Sequence, residues 1–116
     1  MATRVLVTGA TGFIGRALTE ALQTRGYRTQ ALVRSPERAQ ALAEAGVHLI
    51  VGDLTDRTIL PAAVAGMDLV FHLAALRPRW GVPETEYQRV NVEGTQNLLE
   101  AATGRVGRFV YASSVG

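Results

Sequence analysis

Among its 116 residues the chain has neither cysteine nor lysine. Without cysteine there is no disulfide framework, no thiolate nucleophile and no thiolate metal ligand. Without lysine, no Schiff base and no lysine-assisted proton transfer can come from these residues. All 12 basic residues are therefore arginine, set against 10 acidic ones. They are scattered rather than gathered, so the net charge of +2 makes no case for a nucleic-acid partner. No apolar run approaches the ~18 residues that a membrane span needs. The chain enters a strand-like run at once (Arg4-Val5-Leu6-Val7), with no basic stretch leading into an apolar one. Neither a secretory leader nor a membrane partner is expected, and the cytoplasm is the default location. Metal-ligand spacing is missing too, so no metal is expected.

What is present is a steady alternation of short apolar runs with helical patterns. An apolar share of 47% with 19% charge belongs to a folded globular chain, and the length to one domain, residues 1–116. Val5-Leu6-Val7 reads as a buried strand. Ile14, Ala17, Leu18, Ala21 and Leu22 follow at helical spacing, and Gly26 stands where a C-cap would. Thr29 to Val33 is a second strand. Ser35-Pro36-Glu37 predicts a helix start with Ser35 as N-cap, Ala39, Leu42 and Ala43 as the apolar face and Gly46 as the close. Val47 to Val51 is a third strand, and Asp56 to Gly66 a short helix made imperfect by Pro61. Leu69 to Leu73 is a fourth strand, Arg77 to Pro83 a loop with the only Trp. Glu84 to Thr103 is the longest helix, with Tyr87, Val90, Asn91, Leu98, Leu99 and Ala102 inward, and Phe109 to Ser113 a fifth strand.

The pattern βαβαβαβαβ with continuously apolar strands predicts an α/β, Rossmann-type doubly wound parallel sheet of five strands in the order 3-2-1-4-5. A complete fold of this type adds a helix and further strands beyond the fifth. The expectation is therefore an incomplete domain whose substrate-binding portion is absent, or a chain that assembles with a partner, a homo-oligomer included. The fifth strand would otherwise be an apolar sheet edge.

The first strand-to-helix turn carries the clearest chemistry. Thr8-Gly9-Ala10-Thr11-Gly12-Phe13-Ile14-Gly15 spaces its glycines as G-x-x-G-x-x-G, one residue longer than G-x-G-x-x-G. Gly9 permits the sharp turn out of the strand, Gly12 lets backbone amides approach a pyrophosphate, and Gly15 lets the helix pack close. The helix N-terminus offers its free N–H groups and positive dipole end to the phosphates. The ligand predicted is a dinucleotide, NAD or NADP.

The end of the second strand chooses between them. An acidic residue roughly 20 positions past the glycines would accept from the ribose hydroxyls. This chain has Val33-Arg34, then Arg38. A guanidinium forks onto a 2′-phosphate that a carboxylate would repel, so NADP is preferred; a solvated Arg34 with loosely bound NAD is the other reading. After the third strand, Asp53 is placed to accept from the adenine amino group while Leu54 packs on the ring, unless Asp53 only caps the next turn. His72 reads as a packed strand residue, and the small residues after it let the backbone pass close to the ligand. Asn91 and Gly94 are two poor helix formers three residues apart, which predicts a tight backbone approach or a hydrogen-bonding task, unless the helix simply tolerates them. Ser113-Ser114 ends the fifth strand at the carboxyl edge, where ligands of open α/β sheets bind, with no Ser/His/Asp arrangement around it.

Together the blocks Thr8 to Gly15, Gly52-Asp53-Leu54, His72-Leu73-Ala74-Ala75, Asn91-Val92-Glu93-Gly94-Thr95 and Tyr111-Ala112-Ser113-Ser114 resemble the extended short-chain dehydrogenase/reductases. These are the NAD(P)-dependent epimerase/dehydratase group, with its nucleotide-sugar epimerases, dihydroflavonol-type reductases and 3β-hydroxysteroid dehydrogenases. The resemblance implies that the amides of Phe13 and Ile14 hold the pyrophosphate within the Gly9, Thr11, Gly12 and Gly15 turn. It implies that Arg34 meets NADP, that Asp53 and Leu54 hold adenine, and that Leu73, Ala74 and Ala75 line the cofactor. Asn91 would support the active site and Ser114 would polarise a small-molecule substrate. The family's Tyr-x-x-x-Lys pair has no counterpart in these residues, so the chain is expected to be the N-terminal part of an oxidoreductase or epimerase acting on a carbonyl, alcohol or nucleotide sugar, and inactive alone. The alternatives are a non-catalytic dinucleotide-binding or redox-sensing module, and a Rossmann-like protein with a flavin or S-adenosyl ligand.

Overall fold

Val5, Leu6 and Val7 are all fully buried, which only a strand covered on both faces achieves. In the computed structural model, which describes residues 2–73, 81 and 83–111, that strand is the centre of the sheet. The elements run β1 (Arg4–Thr8), α1 (Phe13–Thr24), β2 (Arg28–Val33), α2 (Gln40–Glu44), β3 (His48–Val51), α3 (Leu60–Val64), β4 (Leu69–His72), α4 (Glu84–Gln88), a π-helical turn (Arg89–Glu93), α5 (Gly94–Ala102) and β5 (Arg108–Tyr111). All strand pairs are parallel, in the order β3-β2-β1-β4-β5. This is the doubly wound, Rossmann-type order that the sequence pattern predicts.

Alternation along the strands divides the core into two layers. Val5, Val7, Ala31 and Val33 face one side, with Leu22 of α1 and Leu42 of α2. Leu6, Leu32 and Val70 face the other, with Leu60, Ala63 and Val64 of α3 and Leu98, Ala101 and Ala102 of α5. Each large side chain so buried contributes about 1.5–3 kcal/mol. Polar groups enter this second layer only with partners: Gln30, for example, donates from Nε2 to the Ala63 carbonyl at 2.8 Å, so its burial leaves no lost hydrogen bond.

Four expectations about the helices are corrected. Ser35 does not cap a helix. Its hydroxyl donates to Glu37, residues 35–39 form i→i+3 turns (Arg38 N–H to Ser35 C=O, Ala39 N–H to Pro36 C=O), and α2 starts only at Gln40. Ala43 faces solvent while Ala39 and Leu42 are buried, as five residues leave room for a single inward stripe. The helix expected from Glu84 to Thr103 is interrupted by the π turn; beyond it Gly94, Leu98, Ala101 and Ala102 form the inward row, and Leu99, one step off that row, is 43% exposed.

Among the described residues no helix is long and apolar enough to cross a membrane.

Candidate functional site

The parallel register brings the ends of the strands to one edge. Thr8 lies opposite Leu32 on one side and His72 on the other, Val33 opposite Val51, and His72 opposite Tyr111. Gly9, Arg34, Gly52-Asp53 and Leu73 therefore emerge from the sheet together. The order reverses at β1, whose neighbours β2 and β4 lead to opposite layers, and this is where open α/β sheets form their ligand crevice.

Gly9 leaves β1 at φ 75°, a left-handed turn that disfavours any other residue. The Gly12 amide donates back to the Gly9 carbonyl at 3.2 Å, and the first bond of α1 runs from the Arg16 amide to the Gly12 carbonyl at 2.9 Å. The amides of Phe13, Ile14 and Gly15 thus precede the first helical acceptor, so the helix itself gives them no partner. No side chain caps this end, and no acidic residue stands in its first turn. Phe13 is 92% and Ile14 61% exposed, so this end of α1 lies at the surface.

The glycines divide by what a side chain would meet. A Cβ on Gly15 would stand 1.9 Å from the Gly9 carbonyl oxygen, so α1 rests on the turn only because Gly15 has none. A Cβ on Gly12 would meet nothing closer than 3.5 Å, and the backbone there, φ −77°, suits any residue. The fold needs Gly9 and Gly15 as glycine, but not Gly12.

Arg34 follows β2 at the rim, exposed, as does Arg38, and neither forms an ion pair with the described residues. Beyond β3, Asp53 Oδ1 accepts from the Thr55 amide (3.0 Å) and the Thr55 hydroxyl (3.1 Å), which is the capping role allowed for it. The Leu54 side chain is 6% exposed and sits in the core against Gly94, where an added Cβ would come within 3.0 Å of Leu54 Cβ. Its carbonyl is held by the Asn97 side-chain amide at 3.0 Å. The close approach expected around Asn91 and Gly94 is thus realised at Gly94. Asn91 itself lies in the π turn, a distortion that is rare and concentrates at functional sites. Nearby, the exposed Arg89 pairs with Glu86, and that bond holds the Glu86 carboxyl below the usual range.

Sequence reasoning missed a polar chain behind this edge. His72 is fully buried; Nδ1 is 2.6 Å from the Thr8 hydroxyl and Nε2 is 2.9 Å from the Thr95 hydroxyl. Thr95 in turn donates to the Asn91 carbonyl at 2.6 Å. The Leu73 amide reaches both the Thr8 carbonyl (3.2 Å) and its hydroxyl (3.1 Å). Burial pushes the His72 pKa down to about 4, so the ring is neutral at physiological pH. The one available signal was that Thr8 and His72 both end strands that the predicted order makes neighbours. Ala74, Ala75, the Trp80 loop and Ser113-Ser114, including the expected substrate-polarising Ser114, lie outside the described residues.

An open parallel sheet with a glycine turn and an uncapped helix start at its switch point defines the dinucleotide-binding class of α/β fold. Residues 5–116 match the model of the NAD dependent epimerase/dehydratase family, and the chain belongs to that family. It is 42% identical over 112 residues to 4-hydroxy-2-methyl-3-oxo-4-farnesyl-3,4-dihydroquinoline-1-oxide ketoreductase of Stigmatella aurantiaca, a match covering 96% of this chain and 33% of that protein. It is 46% identical over 120 residues to 3β-hydroxysteroid dehydrogenase/Δ5→4-isomerase of Mycobacterium tuberculosis, covering 96% of this chain and 31% of the relative. A short-chain dehydrogenase/reductase superfamily protein of Agrobacterium tumefaciens, solved with bound NAD, superposes with a TM-score of 0.80 at 37% identity, over 96% of this chain and 32% of that one. The chain spans about a third of the length of the curated relatives it matches.

Proposed function

We propose that these residues bind NAD(P)(H), with NADP(H) preferred, as the N-terminal nucleotide-binding part of an oxidoreductase or epimerase acting on a carbonyl, alcohol or nucleotide-sugar substrate. The observation that carries the reading is Gly12. The turn and the packing account for Gly9 and Gly15, but the fold itself has room for a Cβ at Gly12. A missing side chain that the protein does not require, beside amides with no helical acceptor, fits a group that comes from outside and carries negative charge. The pyrophosphate of a dinucleotide is that group. Thr11, Gly12, Phe13 and Ile14 would hold it, Arg34 would meet the 2′-phosphate, and the rim at Asp53 with the Leu54 main chain would take the adenine. Leu73, Ala74, Ala75 and Asn91 would line the part of the cofactor that reaches toward substrate, with Ser114 polarising the substrate's oxygen. When bound, the nicotinamide supplies a hydride acceptor or donor.

The test uses two substitutions at one position. Gly12→Ala and Gly12→Val should both fold, with thermal midpoints near that of the parent. By calorimetry both should lose dinucleotide binding, Val completely, because a branched side chain stands where the phosphates approach. A folded Gly12→Val variant with undiminished affinity would sink the site.

A further inference from the structure

The two ring nitrogens of His72 bond to hydroxyls from different elements, and the protons along the chain can be assigned. The Asn91 carbonyl can only accept, so the single hydroxyl proton of Thr95 goes to it across 2.6 Å. Toward His72 the Thr95 oxygen then acts as acceptor, and the proton in that 2.9 Å contact sits on Nε2. A neutral ring has its other nitrogen bare, so Nδ1 accepts from the Thr8 hydroxyl at 2.6 Å. The Thr8 oxygen accepts from the Leu73 amide at 3.1 Å. Four bonds run with one polarity, from the main chain at the end of β4 to the main chain of the π turn. The rings of Tyr111, stacked at 5.2 Å, and Phe109, at 6.2 Å, pack on the imidazole. None of the partners named here carries a carboxylate that would hold the ring as a cation.

The chain joins places that the dinucleotide reading uses separately. Thr8 immediately precedes Gly9 of the phosphate turn, Leu73 begins the segment after β4, and Asn91 lies in the π turn. We propose that His72 is a positioning residue: a neutral strut, accepting at Nδ1 and donating at Nε2, that sets the π turn against the glycine turn and so shapes the dinucleotide cleft without touching the ligand. The inference rests on the dinucleotide reading given above. It adds that Thr95, a helix residue with no part in phosphate or base contact, controls affinity through its hydroxyl.

The experiment compares the full chain with Thr95→Val, which keeps the shape and removes the hydroxyl, and Thr95→Ser, which keeps the hydroxyl. NAD and NADP dissociation constants are measured on the folded fraction, and the His72 ring nitrogens are observed by ¹⁵N NMR. The parent should show a single Nε2–H tautomer. Thr95→Val should weaken dinucleotide binding roughly 5- to 10-fold, the scale of one lost buried hydrogen bond, and mix the tautomers. Thr95→Ser should restore both. A purely structural Thr95 would lower the melting temperature of the Val variant while leaving affinity and tautomer unchanged, and that result overturns the proposal. If Thr95→Val fails to fold, an Nδ1–H or tautomer-averaged ring in the parent overturns it equally. Failure of the parent to bind either dinucleotide would instead bring down the dinucleotide reading, and the inference with it.

Discussion

Arg34 carries a charge that no acidic group among the described residues neutralises. A guanidinium left at the mouth of a crevice is available to a phosphate, and its removal should discriminate between the two dinucleotides. Arg34→Ala is expected to weaken NADP binding by about 1–3 kcal/mol while leaving NAD nearly unchanged. Calorimetric titration with both cofactors decides; equal losses would remove the case for NADP. His72 gives a second prediction at this scale. Its pKa is about 4 in the folded chain against an ordinary value of 6.5, so below pH 6.5 the unfolded chain takes up a proton that the folded one refuses. Stability should be full above that point, fall as the pH drops from 6.5 toward 4 by about 3 kcal/mol, and level off below. Glu37, Asp56 and Glu86, whose carboxyls are held low by hydrogen bonds, add their losses only further down, in the carboxylate range. Urea midpoints measured between pH 8 and 5 isolate the histidine, and a flat profile there would contradict its burial as a neutral ring. The two kinds of residue differ in legibility. Arg34 and the three glycines announced themselves through spacing from a strand end. The His72 chain joins residues 64 and 23 positions apart, a separation no local periodicity encodes.

Each helix takes its place from a few contacts. The contact of α1 with the glycine turn leaves no space at Gly15, so Gly15→Ala must push the helix off the sheet or distort the turn. The expected cost is about 3 kcal/mol, the upper end for an overpacked site, with phosphate binding reduced as well. Denaturant unfolding beside Gly12→Ala makes the contrast, because the same added methyl should be nearly silent for stability at Gly12. The strands were readable because burial on both faces leaves continuous apolar runs, and four of them could be placed to within a residue. The helices after β2 and β4 were read less well. Ser35 has the chemistry of an N-cap, but its hydroxyl goes to the nearby Glu37 carboxylate and the backbone settles into tight turns instead. Asn91 and Gly94 were visible as local penalties. What they meant depended on Leu54, forty residues earlier in the chain, which fills the space a Gly94 side chain would need.

For the molecule as a whole, a ligand that binds the folded state alone must raise stability. At a free dinucleotide concentration roughly a hundredfold above Kd the gain should be about 2.7 kcal/mol, read as a higher thermal midpoint that Gly12→Val does not share. Sheet order was derivable from the sequence because right-handed crossovers leave few ways to wind four βα units. The same topology has a consequence for biosynthesis. Of the five described strands β1 is made before the others and lies in the middle of the sheet, yet its neighbour β4 pairs with it across 64 residues of chain. At roughly 5–20 residues per second, a ribosome needs about 3–13 s to make that stretch. For that interval a strand whose Val5, Leu6 and Val7 must end fully buried waits with one flank open, a surface that a chaperone stationed at the exit tunnel could cover.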